Sequence, residues 1–311
     1  MSAPAEAPYA VVVGEALVDL VESRSGEATV YRPMVGGAPL NVAAGLRRLG
    51  AQVEFVGAVS RDALGDRIWD LLAATGVGTR ASVRVDVPTT LALTSLHDGV
   101  PEFTFYGDPP SFARIDRESL DHALVSGATA VYCGSISLMY PGSRETAEAA
   151  WSHSGPLKVL DPNVRPRLLA DKRALRGTVE SLAATADVVK LSGPDAEALL
   201  GLAPEPAAAC LRDAGAAAVV VTLGAAGAIL VSADIELEVS APAVRAVDTT
   251  GAGDAFAAAL IHGLMAGGVP AGPDAWRDLV RFAVTAASLS CEVPGASGAM
   301  PPLDAIRART G

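Results

Sequence analysis

The sequence predicts an α/β fold, a doubly wound, mostly parallel sheet covered on both faces and carrying a small β-sheet lid. Three observations predict it. Short, wholly apolar runs recur along the chain, as strands buried on both faces require. Stretches with apolar residues at helical spacing separate them, so strand and helix alternate. One segment, 82–106, breaks that rhythm with period-two runs and no helix between them.

The strands are VVVG from Val11, VEFVGAVS from Val53, TAVYCGS from Thr129, LKVLDP from Leu157, DVVKLS from Asp187 and AVVVTLG from Ala218. Helices are read from Val42, Leu46 and Leu49, from Ile68, Leu71 and Leu72, and from Leu175, Val179, Leu182 and Ala183. The uncharged stretch from Ala214 to Ala233 reaches membrane-spanning length, but Gly224 and Gly227 divide two β-branched runs there. Two strands and a turn are expected, not a membrane span.

Between Ser82 and Tyr106 the chain reads SVRVDV, TTLALTSL and EFTFY around an Asp98-Gly99 turn, which predicts a hairpin. With strands near Leu17 to Val21 and Thr29 to Arg32, it forms a small sheet over the carboxyl edge of the main one; an antiparallel extension of the main sheet fits the pattern equally. The expected organisation is one domain over 1–311, with a lid from segments of about 15–33 and 82–110. Leu91, Leu93, Phe103 and Phe105 alternate with polar neighbours, giving the hairpin an expected apolar side and suggesting a homodimer through the lids.

Half of the 311 residues are apolar and 19% are charged, which excludes a mostly disordered chain. Thirty-five acids against 24 bases leave a formal charge of −11, the wrong sign for gripping a nucleic-acid backbone. Cys133, Cys210 and Cys291 are far apart and lack CxxC spacing, so a disulfide framework or zinc site is not indicated. The opening MSAPAEAPYA carries no basic region before its first apolar run, so no signal peptide is expected. A cytoplasmic protein with no membrane or nucleic-acid partner is the expectation.

The most informative string is VDTTGAGDAFAAALIHGL, Val247 to Leu264. Gly251 and Gly253 strip side chains from the start of a helix whose Phe256, Leu260, Ile261 and Leu264 recur at helical spacing, exposing backbone N–H groups at its positive end. Asp254 stands beside this anion hole, where it could accept the proton of an attacking hydroxyl while amides hold phosphoryl oxygens. Capping and the helix dipole also explain an acid there. No GxxxxGK[ST] run and no HRD or DFG set occurs.

The chain resembles the carbohydrate kinases of the ribokinase, or PfkB, family. DTTGAGDAF from Asp248 matches the family's C-terminal signature, and GGAPLNVAAGLRRLGA from Gly36, followed by FVGAVSRDALGDRI, matches its N-terminal one. The resemblance covers nearly the whole chain and implies a ribokinase-like three-layer α/β fold with a β lid. It implies ATP and magnesium as cofactors, with potassium as a further candidate. Asp254 is the implied catalytic base, and Gly251, Ala252 and Gly253 the anion hole. Asp19, Gly36, Gly37 and Asn41 match the sugar-binding positions, although Gly36 and Gly37 also suit a turn before a helix and Asn41 a cap.

LSGPD, Leu191 to Asp195, stands where the family usually has Asn-x-x-Glu, so Ser192 and Asp195 are the nucleotide-side candidates, with Asp195 reaching magnesium through water. An acid near the start of a helix is the competing reading. TLGAAG resembles the nucleotide-phosphate turn through Thr222, Gly224 and Gly227, or is an ordinary hairpin. Gly295 and Ala296 lie where the family closes over adenine, and Asp248 is the candidate beside a monovalent cation.

DPNVRPRLL from Asp161 resembles the DxNxRxxLW motif of fructokinases and 2-keto-3-deoxygluconate kinases, with Leu169 for tryptophan; Asn163 and Arg165 become phosphate or sugar candidates. GSISL from Gly134 and the opening GEALVDLV resemble fructokinases. Gly107 stands where these commonly carry an arginine after the tyrosine, which favours a neutral sugar over an acidic one. The expectation is a fructokinase. The alternatives are a 2-keto-3-deoxygluconate kinase, a ribose or nucleoside kinase, and, in another class, a non-catalytic sugar or nucleotide sensor.

Overall fold

The computed structural model describes residues 7–25, 28–97, 100–165 and 171–310. The chain opens on β1 (Tyr9–Val13), whose five residues are all buried, and runs into an antiparallel pair, β2 (Leu17–Ser25) and β3 (Ala28–Gly36). Helix α1 (Ala38–Arg48) leads to β4 (Gln52–Val56) and β5 (Ala58–Ser60), and α2 (Ala63–Thr75) to β6 (Val83–Val85). The second antiparallel pair is β7 (Leu91–His97) with β8 (Val100–Tyr106).

After α3 (His122–Ser126) the alternation becomes regular: β9 (Ala130–Gly134), α4 (Pro141–Trp151), β10 (Leu157–Asp161), α5 (Lys172–Ala183) and β11 (Val188–Ser192). Helices α6 (Gly193–Leu200) and α7 (Pro204–Asp213) precede β12 (Ala218–Thr222), β13 (Ala228–Ser232) and β14 (Glu236–Val239). Helices α8 (Ala252–Gly267), α9 (Pro273–Ser290) and α10 (Leu303–Thr310) complete the described chain.

Eight strands form the main sheet in the order β14-β13-β12-β11-β10-β9-β1-β4, parallel from β12 to β4 and antiparallel at β13 and β14. Successive side chains point to opposite faces, so β1 sends Val11 and Val13 into one apolar cluster and Ala10 and Val12 into another. The first cluster is closed by Ala147 and Trp151 of α4, Val179 of α5, Leu199 of α6 and Leu211 of α7. The second is closed by Leu46 of α1, Ile68 of α2, Leu260 of α8 and Val280 of α9. These are the three expected layers. The turn between β12 and β13 holds Gly224 at φ 60° and Gly227 at φ 114°, and no helix among the described residues is long and apolar enough to cross a membrane.

The additional sheet has the order β3-β2-β7-β8. Val83–Val85, expected in the hairpin, instead pairs in parallel with β5, because Val83, Arg84 and Val85 continue the register set by Ala58, Val59 and Ser60. The Asp98-Gly99 turn lies outside the described residues. The expectation of one apolar side is corrected by the pairing: Ala92 opposes Phe105, whereas Leu91 opposes Tyr106 and Leu93 opposes Thr104. With a period of two, Phe105 therefore lies on the face opposite Leu91 and Leu93. The side chain of Phe103 lies outside the described residues.

Each face has its own work. Leu17, Ala92 and Phe105 pack with Phe112 and Ile136 above the main sheet, while Leu20, Val35 and Leu91 pack into the second core cluster.

Candidate active site

The chain enters the main sheet at β1, adds β4 on one side and returns to add β9 on the other, so β1 is where the strand order reverses. Open α/β sheets bind ligands in the crevice beyond the carboxyl ends of the strands at such a point. The candidate residues follow this edge. Glu15 and Asp19 lie just past β1, Asp161 ends β10, Ser192 ends β11 and Thr222 ends β12, with Ser192 registered directly against Thr222.

Over the middle of the edge stands the first turn of α8. Gly251 caps it in the left-handed conformation at φ 79°, which a residue with a Cβ rarely adopts. A Cβ there would also meet Ala296 at 2.8 Å, so the 295–296 loop crosses directly above the helix start. The Thr249 carbonyl takes the N–H of Ala252 and the Gly251 carbonyl that of Ala255. Among the described residues, the N–H groups of Gly253 and Asp254 between them have no backbone partner, so a helix start able to receive an anion is offered by these two, while the N–H of Ala252, expected in the anion hole, is taken by Thr249.

Asp254 is buried, and Asn41 Nδ2 donates to its Oδ2 at 2.8 Å. Burial raises its pKa; the Asn41 hydrogen bond and the positive charges of Lys190 and Arg165 oppose the rise. Asn41 itself is buried on α1, and its Oδ1 has no partner among the described residues. It therefore holds the acid with one end, while its other end is a buried acceptor left unpaired.

Asp19 lies on β2, on the face that looks down on the crevice. Burial raises its pKa to about 6 against the pull of Arg165. A Cβ on Gly36 would fall 2.1 Å from Asp19 Oδ2, so the first glycine of the pair makes room for this carboxylate. Gly37, at φ 112°, caps α1 where a Cβ would meet the Glu15 carbonyl at 2.6 Å. Gly37 thus makes the turn into the helix, and Gly36 makes room for Asp19.

Arg165 has its Nη1 on Asn163 Oδ1 at 2.6 Å, and its charge acts on Glu15, Asp19 and Asp254. Half-buried, it lies among the carboxylates as a cation of the site. Leu169 lies outside the described residues.

The nucleotide-side candidates are more committed to structure. Ser192 and Asp195 form a capping box on α6: Asp195 Oδ2 accepts from Ser192 N at 2.9 Å and Ser192 Oγ at 2.6 Å, and Oδ1 accepts from Val164 N at 2.8 Å. Asp195 therefore ties the β10 and β11 loops together. Asp248 does the same for the last two: Oδ1 accepts from Thr250 N at 2.9 Å and Oδ2 from Gly295 N at 2.8 Å. Partial burial raises the Asp248 pKa, but these bonds outweigh it and the net shift is downward.

Three buried charges escaped the sequence reading. Glu15, 1% exposed, accepts from Ser137 N at 3.2 Å, and burial pushes its pKa up to about 7. Asp161 and Lys190 form an ion pair, Nζ to Oδ2 2.8 Å, below α8. The available signal was a lone lysine inside the apolar strand VVKLS.

The profile of the pfkB family carbohydrate kinases matches residues 7–303. The chain belongs to that family. It is a phosphotransferase with an alcohol group as acceptor. A fructokinase of Escherichia coli is 32% identical over 93% of this kinase and 95% of its own length. Among solved structures, a fructokinase of Xylella fastidiosa with bound ATP superposes with a TM-score of 0.87 at 28% identity, covering 96% of this chain and 97% of the other. A fructokinase of Vibrio cholerae O395, in a form binding fructose, ADP and calcium, gives 0.86 at 28% identity over 97% and 98%. The kinase shares with them the whole architecture, not a single motif.

Proposed function

We propose that the kinase transfers the γ-phosphoryl group of ATP to a primary hydroxyl of fructose. The observation that carries this reading is the meeting of Asp254, held by Asn41, with the free N–H groups of Gly253 and Asp254 at the reversal of strand order. The sugar lies towards Asp19, Gly36, Gly37, Asn41, Asn163 and Arg165; the nucleotide lies towards Ser192, Thr222, Gly224, Gly227, Gly295 and Ala296. Asp254 accepts the hydroxyl proton while the anion hole receives the phosphoryl oxygens.

The residues fit ATP and magnesium in a limited sense. Magnesium commonly keeps several waters and is held largely by substrate phosphates. No group of three or more His, Cys, Asp or Glu suited to a metal occurs among the described residues. Asp195 would reach it through water, since its oxygens already accept from Ser192 and Val164. Magnesium would neutralise charge on the phosphates. A potassium ion beside Asp248 is tested by comparing rates in potassium and choline salts.

Fructose is favoured over an acidic sugar by charge. Arg165 acts on three carboxylates, Glu15, Asp19 and Asp254, and Gly107 supplies no second cation. The relatives named above support the same choice. The β3-β2-β7-β8 sheet serves as a lid of a single domain: Met34 of β3 reaches within 3.4 Å of a Cβ placed on Gly295, on the far side of the crevice. Tyr31 and Tyr106 of this sheet are 45% and 52% exposed, which supports a homodimer through the lids, to be tested by light scattering with and without sugar. Three free cysteines support a cytoplasmic location.

The deciding experiment is an ADP-release screen over fructose, 2-keto-3-deoxygluconate, ribose, tagatose and nucleosides. Fructose should give the highest kcat/KM. A clear preference for ketodeoxygluconate or a nucleoside would overturn the substrate, and no turnover with any, alongside tight sugar binding, would favour a sensor.

A further inference from the structure

Asp161 and Lys190 are the ion pair that the reaction as described above leaves without a role. Strands β10 and β11 pair Val159 with Val188 and Leu160 with Val189, and the same register brings Asp161 beside Lys190 on the face covered by α8. Lys190 is 3% exposed and Asp161 0%. A buried pair of this kind is no better for stability than apolar residues of the same volume, because both charges leave water. Its position offers a different reason. A Cβ on Gly253 would stand 3.1 Å from Lys190 Nζ, so the ammonium fills the space where the anion-hole glycine has no side chain. Asp161 Oδ1 and the hydroxyl of Tyr132, also beneath α8, have no partner among the described residues. The ammonium is thus the cation of an otherwise acidic floor: Asp161, Asp195 and Asp254 each favour its charged form.

We propose that Lys190, gripped by Asp161, is a positioning residue of the phosphotransfer site, its ammonium lying beneath the anion hole to keep Asp254 a carboxylate and to offset the charge of the transferring group. The proposal rests on Asp254 being the base. The groups acting on Asp254 come from α1, β2, β9, β10, the segment after β10, and β11. Asn41 of α1 donates to it, Lys190 of β11 and Arg165 after β10 favour its charge, and Asp19 of β2 disfavours it. Asp161 of β10 and Tyr132 of β9 interact with the same charge.

The two members of the pair consequently act on Asp254 with opposite signs. Lys190→Met should move the acid limb of the kcat/KM profile for sugar upward by about one pH unit, a loss of about tenfold on the acid side. Asp161→Asn removes a negative neighbour and should leave the limb in place or lower it, although it breaks the same ion pair. A purely structural pair predicts that both variants lose melting temperature and neither moves the limb. If Lys190→Met does not fold, the double variant Asp161→Asn/Lys190→Met leaves no unpaired buried charge, and its limb should lie above that of Asp161→Asn, from which it differs only at the lysine. The absence of an upward shift, in Lys190→Met relative to the native enzyme or in the double variant relative to Asp161→Asn, overturns the proposal. Asp254→Asn, assayed in parallel, separates the two ideas: an active enzyme removes the base itself, whereas an inactive one beside an unmoved limb in the lysine variants overturns the role of Lys190 alone.

Discussion

Asp254→Asn separates chemistry from architecture at one position. The side chain keeps its shape, and its amide oxygen still accepts from Asn41 Nδ2, a bond of 2.8 Å in the native site. What disappears is the ability to take a proton. General-base catalysis contributes about 10²- to 10⁴-fold, or about 3 to 5 kcal/mol of barrier, so kcat should fall by at least that range. Stability should respond differently. Burial raises the Asp254 pKa, so its ionised form is held at a cost that grows as pH rises above the unfolded carboxylate value; a neutral amide avoids it. The loss of attraction to Lys190 and Arg165 opposes that gain. The melting temperature should therefore change little at pH 7, and fructose affinity by calorimetry should change far less than kcat. A folded variant with near-native turnover would refute the catalytic assignment.

Gly36→Ala should raise the KM for sugar about tenfold or more with little change in the KM for ATP, since its Cβ would displace Asp19 Oδ2 from 2.1 Å; steady-state kinetics in both substrates check this. Ser192→Ala should lower stability by about 1 kcal/mol in urea unfolding, because it removes the side-chain half of the α6 capping box. Glu15→Gln should flatten the pH dependence of stability. The native carboxyl is raised from its ordinary 4.5 to about 7, so the stability it contributes is full below about 4.5 and lost as pH rises through about 7. That difference corresponds to about 3 kcal/mol, and melting curves of the two proteins from pH 4.5 to 8 should converge at the acid end and diverge at the other.

The sheet was legible because its signal is repeated. Six apolar runs and the helical spacings between them each require the same buried layer, and β1, β4, β9, β10, β11 and β12 fall on those runs. The additional sheet was legible in kind but not in register. Nothing local distinguishes Val83–Val85 as a partner of β5 from the start of a hairpin, and the faces of Leu91 and Phe105 depend on which residues oppose them. A shift of one position exchanges the faces of a strand, so a pattern of alternation alone leaves the buried side undetermined.

The site divides along the same line. Asp254, Gly251 and Gly253 were legible because a helix start must present free N–H groups wherever it occurs, and the residues that exploit them are neighbours in the chain. Asp161 and Lys190 are 29 residues apart and become a pair only when β10 and β11 align. Glu15 meets the N–H of Ser137 across 122 positions in the same way. In a strand that is otherwise apolar, an ionisable residue is costly unless a partner arrives from elsewhere in the fold. Lys190 within VVKLS therefore implies a buried acid on an adjacent element even before that element is known. Register supplies the identity, Asp161, and the missing side chain of Gly253 explains where the ammonium fits.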